Sequence, residues 1–176
     1  MWIRILEKRT GEDLDKWVRR INRTRLSDEA SLRNWLNERG VTGYAQSLLV
    51  MERFGYPDFI RATADELIDA QYADRGTLKP IYDAVIKVAT RVGDVTLQAR
   101  KTFVSLLTPR RTFARVQPAT RTRVDLGLRL EGQKPGGRLH PSSFHETMRL
   151  RIGLSSPSDV DDEVRDWLRR AYRDNC

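Results

Sequence analysis

Residues 110–130 read RRTFARVQPATRTRVDLGLRL, and in this stretch basic side chains alternate with apolar and β-branched ones. A period of two is typical of a β-strand that buries one of its faces. The second half shows the pattern most clearly, because Arg123, Asp125 and Arg129 alternate with aliphatic residues. Residues 118–121 (PATR) interrupt the period with a turn-like segment. The stretch therefore predicts two antiparallel strands with one aliphatic face and one cationic face.

The period of two continues on both sides of this stretch. Five segments alternate or are rich in β-forming residues, namely 95–99, 102–107, 111–117, 122–130 and 148–154. The Gly- and Pro-rich segment 131–143 between the last two predicts a loop. Apolar residues with helical spacing follow Pro80 and Ser156, which predicts one helix before the strands and one after them. We therefore predict an α+β domain over residues 75–176, in which an antiparallel sheet is packed on one face by two helices.

The first part of the chain shows the helical period instead. Apolar residues recur at i, i+3, i+4 and i+7 over residues 14–21, and Thr63 with Glu66 forms a T-x-x-E capping box before another apolar segment. The segment 73–80 (ADRGTLKP) combines a turn signal with a Pro that suits the start of a new helix. We therefore predict a separate small helical bundle over residues 1–74.

Residues 32–51 within this bundle have the outline of a helix-turn-helix motif. Residues 1–75, however, hold 13 basic and 13 acidic side chains, so this region has no net charge that would attract phosphates. We therefore expect the helical domain to serve in packing or in contact with a protein partner.

The net charge of +8 is concentrated in the second half of the chain. Residues 100–151 hold 12 basic and 3 acidic side chains, a bias that favours polyanions or other anionic ligands as partners. No apolar run approaches the ~20 residues of a membrane-spanning helix, and the charged amino-terminal segment has no signal-peptide pattern. The single cysteine, Cys176, excludes a disulfide framework. We predict a cytoplasmic protein that does not insert into membranes.

Strict alternation assigns a set of polar and aromatic residues to the cationic face of the sheet. We predict a ligand-binding site there, formed by Lys101, Phe103, Phe113, Arg115, Gln117, Arg123 and Asp125. The same alternation places Thr112, Ala114 and Val116 on the aliphatic face. The basic groups would neutralise phosphates, and the phenylalanines would stack on bases. The alternative interpretation is a solvated sheet face, whose long basic side chains cover the aromatic rings.

Patterns for catalysis and metal binding are weak. His140, His145 and Glu146 come from one short segment and are too few for a metal site. The neighbouring serines lack the sequence context of a nucleophile. The segment EGQK (131–134) lacks the spacing of a metal-dependent nuclease. The sequence thus predicts no catalytic residue, no metal and no cofactor.

Two parts of the chain resemble known families. KTFVSLLTPRRTFARVQPATRTRVDLGLRLEG with the following GRLH, and RLRIGLSSPSDVDDEVRDWLRRAYR near the end, resemble a bacterial domain of unknown function, DUF5655. TGEDLDKWVRRINRT and LRNWLNERGVTGYAQSLLVME resemble a second such family, DUF4287. The positions that match the first family include Gln117, Arg123, Asp125 and Arg138, so the resemblance adds Arg138 to the candidate site. Related domains accompany restriction-type nuclease modules, which favours a nucleic-acid role.

Three functions agree with these patterns. The leading hypothesis is a non-enzymatic binding module that recognises anionic ligands, above all nucleic acid, on the cationic sheet face. A second is a small-molecule sensor or enzyme with a pocket around Asp125, in which Lys101 or Arg123 would keep the carboxylate ionised. A third is a protein-interaction adaptor whose basic surface meets an acidic partner.

Overall fold

The computed structural model describes all 176 residues, which form two compact units, residues 1–61 and 62–176. The sequence-based division after residue 74 assigned one more helix, Ala64–Tyr72, to the first unit. In the structure this helix contacts the strand Thr96–Ala99, and Tyr72 lies in the core of the second unit. The helix belongs with the sheet because its buried residues pack there.

The first unit consists of helices α1 (Trp2–Thr10), α2 (Leu14–Asn22), α3 (Glu29–Asn37), α4 (Gly43–Phe54) and α5 (Asp58–Arg61). Helix α4 packs against α1, α2 and α3. The core between them includes the fully buried side chains of Leu6, Ile21, Leu36 and Leu49. Helix α1 was not predicted, because four of its nine residues are charged and its helical spacing of apolar residues is therefore hard to recognise in the sequence.

The second unit contains three helices and six strands. The helices are α6 (Ala64–Tyr72), α7 (Lys79–Ala89) and α8 (Asp162–Asn175). The strands are β1 (Thr96–Ala99), β2 (Val104–Leu107), β3 (Thr112–Pro118), β4 (Val124–Leu128), β5 (His140–His145) and β6 (Met148–Leu154). The predicted capping box begins α6, where Thr63 accepts a hydrogen bond from the backbone of Glu66 and the Glu66 side chain accepts one from Thr63. None of the helices in the chain has the length and apolar character needed to cross a bilayer.

All strand pairs in the sheet are antiparallel, and the order across it is β1-β2-β3-β4-β6-β5. One face carries Val104, Val116, Leu126 and Ile152, which are fully buried in one core with residues of α7 and α8. The predicted α+β class, with helices followed by an antiparallel sheet packed on helices, is confirmed. Strand β5 was not predicted, because its sequence HPSSFH lacks alternation and contains a Pro.

A β-bulge in β3 changes which residues share a face of the sheet. Leu107 pairs with Thr112, while the residue before Leu107 pairs with Ala114, so Phe113 is the extra residue between two pairs. The Phe113 side chain is fully buried and meets the ring of Tyr172 in α8 edge to face. The prediction that Phe113 lies on the cationic face is therefore wrong. Thr112 lines that face instead.

Two neighbouring tyrosines in the core of the second unit contribute to its response to alkaline pH. The ring centroids of Tyr72 and Tyr82 lie 5.4 Å apart, and burial raises the pKa of Tyr82 to about 12 and raises the pKa of Tyr72 as well. The pKa of an exposed tyrosine is about 10. Ionisation of both hydroxyls is therefore less favourable in the folded state, so stability is fully kept below about pH 10 and falls as the pH rises towards 12. The buried hydroxyl of Tyr72 also has no hydrogen-bond partner.

Replacing Tyr72 with phenylalanine should leave the free energy of unfolding at neutral pH unchanged or raise it by up to about 1 kcal/mol, because an unpaired buried hydroxyl is removed. The same change should reduce the loss of stability above about pH 10. Urea unfolding at neutral and alkaline pH measures both effects. Tyr44→Phe, which changes an exposed ring in the first unit, is the control. A steeper alkaline loss in Tyr72→Phe than in the unchanged protein would contradict this explanation.

Candidate anion-binding site

The polar face of the sheet carries rows of side chains that cross the strands. One row, read in the order of the strands, contains Gln98, Ser105, Arg115, Gly127, Arg151 and His140. The neighbouring row contains Gln117, Asp125 and Gly153. Asp125 is the only acidic residue within the six strands, so the face is cationic.

Arg115 lies at the centre of this face, in a group that we call the Arg115 cluster: Phe103, Arg115, Gln117 and Phe144. The Arg115 guanidinium carbon lies 3.4 Å from the ring centroid of Phe103 and 5.0 Å from that of Phe144. Its Nη2 donates to Oε1 of Gln117 at 2.6 Å, and its Nη1 donates to the carbonyl oxygen of Phe144 at 3.5 Å. Burial lowers the pKa of Arg115, but an arginine stays charged at any ordinary pH. The cluster therefore holds a charged guanidinium in one orientation.

Gly127 in β4 makes room for the Phe144 ring. A Cβ atom at position 127 would lie 2.7 Å from Cδ2 of Phe144 and 3.1 Å from Cε2, distances too short for carbon atoms in contact. Phe144 belongs to β5, whose pairing with β6 shifts register between Pro141 and His145. A glycine inside a strand allows this kind of close approach. Strict alternation placed Phe113 on the cationic face, but the second aromatic residue that lies there beside Arg115 is Phe144 of β5.

A cleft of about 480 Å³ opens beside the Arg115 cluster. Its lining includes Arg100, Ser105, Arg111, Thr112, Arg115 and Arg129. Arg100, Arg111 and Arg115 make no ion pair, and Arg129 pairs only with the exposed Glu131, at 3.6 Å. The Nε–H groups of Arg111, Arg115 and Arg129 are shielded from solvent and lack an acceptor. The cleft therefore gathers positive charge that carboxylates of the protein leave largely uncompensated.

Asp125 forms a different group on the same face, in which its carboxylate compensates part of the positive charge. Its buried carboxylate accepts from Nε of Arg123 at 2.7 Å and from Nη1 of Arg151 at 3.3 Å. The Arg123 side chain lies on Gly153, where a Cβ atom would be only 2.9 Å from its Cδ. The structure thus brings Arg123 and Asp125 together, and Asp125 acts there as an anchor for two arginines.

The remaining predicted site residues lie elsewhere. Phe113 is in the core, as described above. Lys101 is exposed on the connection between β1 and β2. Arg138 pairs with Asp161 at 2.7 Å and donates to the carbonyl oxygen of Asp159, which ties the connection between β4 and β5 to the start of α8. No group of three or more histidine, cysteine or acidic side chains is arranged to hold a metal ion.

Sequence reasoning missed Phe144 as a member of the site. The ring is a single aromatic residue among polar ones, directly after the segment 131–143 that predicts a loop. Gly127 could have indicated such a contact, because a glycine in the middle of an apolar strand often marks the close approach of another group. Alternation placed Arg111 and Arg129 on the polar face, but it could not show that they share a cleft with Arg115.

A comparison with protein-family models identifies the second unit. Residues 68–175 match the family described as Domain of unknown function (DUF5655). The protein belongs to the DUF5655 family. No curated protein and no solved structure matches the chain. The DUF5655 segment begins within α6 and ends in α8, so it contains the whole sheet, the Arg115 cluster and the cleft. The resemblance to DUF5655 is thereby confirmed, whereas the resemblance of the first unit to DUF4287 stays a prediction.

Proposed function

We propose that residues 62–176 form a binding module for anionic ligands, with single-stranded nucleic acid as the main ligand and the cleft beside Arg115 as its site. One observation supports this more than any other. Arg100, Arg111 and Arg115 line the same concave cleft and have no carboxylate partner. On the rest of the sheet face, Arg123 and Arg151 are paired with Asp125.

Unpaired guanidinium groups in a cleft favour an anion for electrostatic reasons. A partly buried charge loses part of its hydration, and it gains interaction energy when an opposite charge binds beside it. Guanidinium N–H groups also match the spacing of phosphate oxygens, which they bind in pairs. Phe103 and Gln117 already fix the orientation of Arg115, so little side-chain entropy is lost on binding.

Two features favour nucleic acid among the possible anions. The excess of 12 basic over 3 acidic residues in positions 100–151 attracts a polyanion over a wide surface. The Phe103 ring lines the cleft beside the arginines, and aromatic rings next to cationic groups are what single strands use for stacking and backbone contact.

Replacing both Arg100 and Arg111 with alanine should lower the affinity for a labelled single-stranded oligothymidylate by about tenfold or more at physiological salt. The slope of log affinity against log salt should fall by about 0.7 for each phosphate contact that is lost. Fluorescence anisotropy across a salt series measures both quantities. Neither arginine makes an ion pair, so we expect an unchanged thermal melting curve.

The matched control replaces Arg165 and Arg169 in α8, which removes the same charge away from the cleft. We expect this control to change the affinity by less than about threefold, because salt screens exposed charges that are distant from the ligand. Equal losses in the two double variants would mean that net charge alone attracts the strand. Unchanged affinity in the Arg100 and Arg111 variant would contradict the proposed site.

The size of the cleft favours a second candidate, a small anionic molecule. Its volume of about 480 Å³ lies within the range of about 300–1,000 Å³ that is usual for small-molecule sites. Such a ligand would use the same arginines without contacting the rest of the sheet. Competition between a nucleotide and an oligonucleotide separates the two candidates.

We propose that the first unit contacts a protein partner. We also propose that this unit is related to the DUF4287 family. Its exposed apolar side chains include Ile3, Tyr44 and Phe54, and its 12 basic and 9 acidic residues leave a net charge of +3. The exposed apolar groups support a protein partner. Tyr44→Ala should therefore leave the affinity for oligothymidylate unchanged.

A further inference from the structure

Ser105 lines the cleft next to arginines that lack acceptors. The residue is only 8% exposed, and its hydroxyl makes no hydrogen bond to another protein group. It faces Arg115 across the β2–β3 pair. The hydroxyl of Thr112, which also lines the cleft, has no protein partner either. Neither hydroxyl is fully shielded from solvent, so both can bond to a ligand oxygen in the cleft, beside the guanidinium groups of Arg111 and Arg115.

The Arg115 cluster separates the cleft from the Asp125 group. Phe144 contacts Arg115 and lies directly on Gly127 of the next strand. Asp125, two residues before Gly127 in the same strand, pairs with Arg123 and Arg151 and compensates one of their two charges. A nucleic-acid strand that crossed the whole sheet would have to pass over Phe144 before it reached these paired arginines. The cleft therefore suits the end of an anionic ligand better than its middle.

We propose that the cleft binds a terminal phosphate group, a phosphomonoester, and that Ser105 donates to it. For a nucleic-acid ligand this group is the phosphorylated end of a single strand, a statement that rests on the proposed function. A phosphomonoester carries a charge of about −1.5 to −2 at neutral pH, whereas an internal phosphodiester carries about −1. The larger charge matches a cleft in which several arginines meet, and the additional terminal oxygen provides an acceptor for Ser105.

The test compares strands that differ only at their ends. Three oligothymidylates of equal length carry a 5′-phosphate, a 3′-phosphate or hydroxyl groups at both ends, and each has the same internal fluorophore. Anisotropy gives their affinities at physiological salt. One of the phosphorylated strands should bind about tenfold more tightly than the hydroxyl strand, because the terminal group adds charge and charge-assisted hydrogen bonds.

Ser105→Ala distinguishes the terminal-phosphate contact from general charge attraction. This change should reduce the preference for the phosphorylated strand from about tenfold to about threefold, because it removes one hydrogen bond to the terminal phosphate. Ser155→Ala, which removes an exposed serine outside the cleft, is the matched control and should keep the full preference. Equal melting temperatures of the two variants establish that both proteins are folded.

Unlabelled thymidine monophosphate and inorganic phosphate identify the source of the phosphate group. Weaker competition by the mononucleotide than by the phosphorylated strand supports a strand end. Equal competition supports the phosphomonoester site but contradicts nucleic acid as the main ligand. Equal affinity for phosphorylated and hydroxyl strands would overturn the terminal-phosphate proposal and leave nucleic-acid binding intact. Absence of binding by every strand would overturn the proposed function itself.

Discussion

Replacing Phe113 with alanine should lower the free energy of unfolding of the second unit by about 3–5 kcal/mol. The Phe113 ring is fully buried and meets the ring of Tyr172 edge to face, with the centroids 5.5 Å apart. The substitution removes this burial and leaves a cavity between β3 and α8, which close-packed neighbours fill only in part. Urea unfolding followed by circular dichroism measures the loss.

Phe103→Ala is the matched control, because it removes the same ring from the polar face, where the ring is half-buried. It should cost only about 1 kcal/mol through the lost cation–π contact with Arg115, and it should weaken anion binding. A fully stable Phe113→Ala protein with weakened ligand binding would contradict the bulge. It would indicate instead that Phe113 lies on the cationic face.

Replacing Asp125 with alanine should lower the free energy of unfolding by about 2 kcal/mol. Loss of the carboxylate leaves Arg123 and Arg151 facing each other without an anion, and breaking a buried ion pair costs about 3–5 kcal/mol. The two arginine side chains are 37% and 24% exposed, however, so solvent screens part of the repulsion and reduces the cost. Urea unfolding measures this change as well.

Asp166→Ala is the control for Asp125→Ala, because it also removes one carboxylate but breaks only an exposed pair with Arg169. We expect it to cost less than about 0.5 kcal/mol. Both variants gain one positive charge, so both should bind oligothymidylate at least as well as the unchanged protein. A folded Asp125→Ala protein that no longer binds its anionic ligand would favour instead a pocket built around Asp125.

The alternation in the sequence was sufficient to predict the sheet and most of its polar face. Strands such as β4 place aliphatic residues on one face and Asp125 on the other, because burial on one side imposes a period of two. The same period correctly placed Phe103, Arg115 and Gln117 close together. The capping box at Thr63 was also predicted correctly from the sequence, because a helix cap depends only on neighbouring residues.

The features that the sequence did not reveal depend on contacts between distant segments. A bulge at Phe113 reverses the alternation within one strand, and no residue type requires it there. Phe144 reaches Arg115 from a strand whose sequence is typical of a loop. The pairing of Arg151 with Asp125 follows from the adjacency of β4 and β6, which local patterns do not encode.

Nuclear magnetic resonance of arginine side chains tests the cleft as the anion site most directly. Each Nε–H group gives its own signal, and those of Arg111, Arg115 and Arg129 have no acceptor in the unbound protein. Addition of the phosphorylated oligothymidylate at physiological salt should shift these three signals and leave those of Arg165 and Arg169 in place. Shifts confined to the arginines of α8, or unchanged cleft signals at saturating ligand, would contradict the cleft as the binding site.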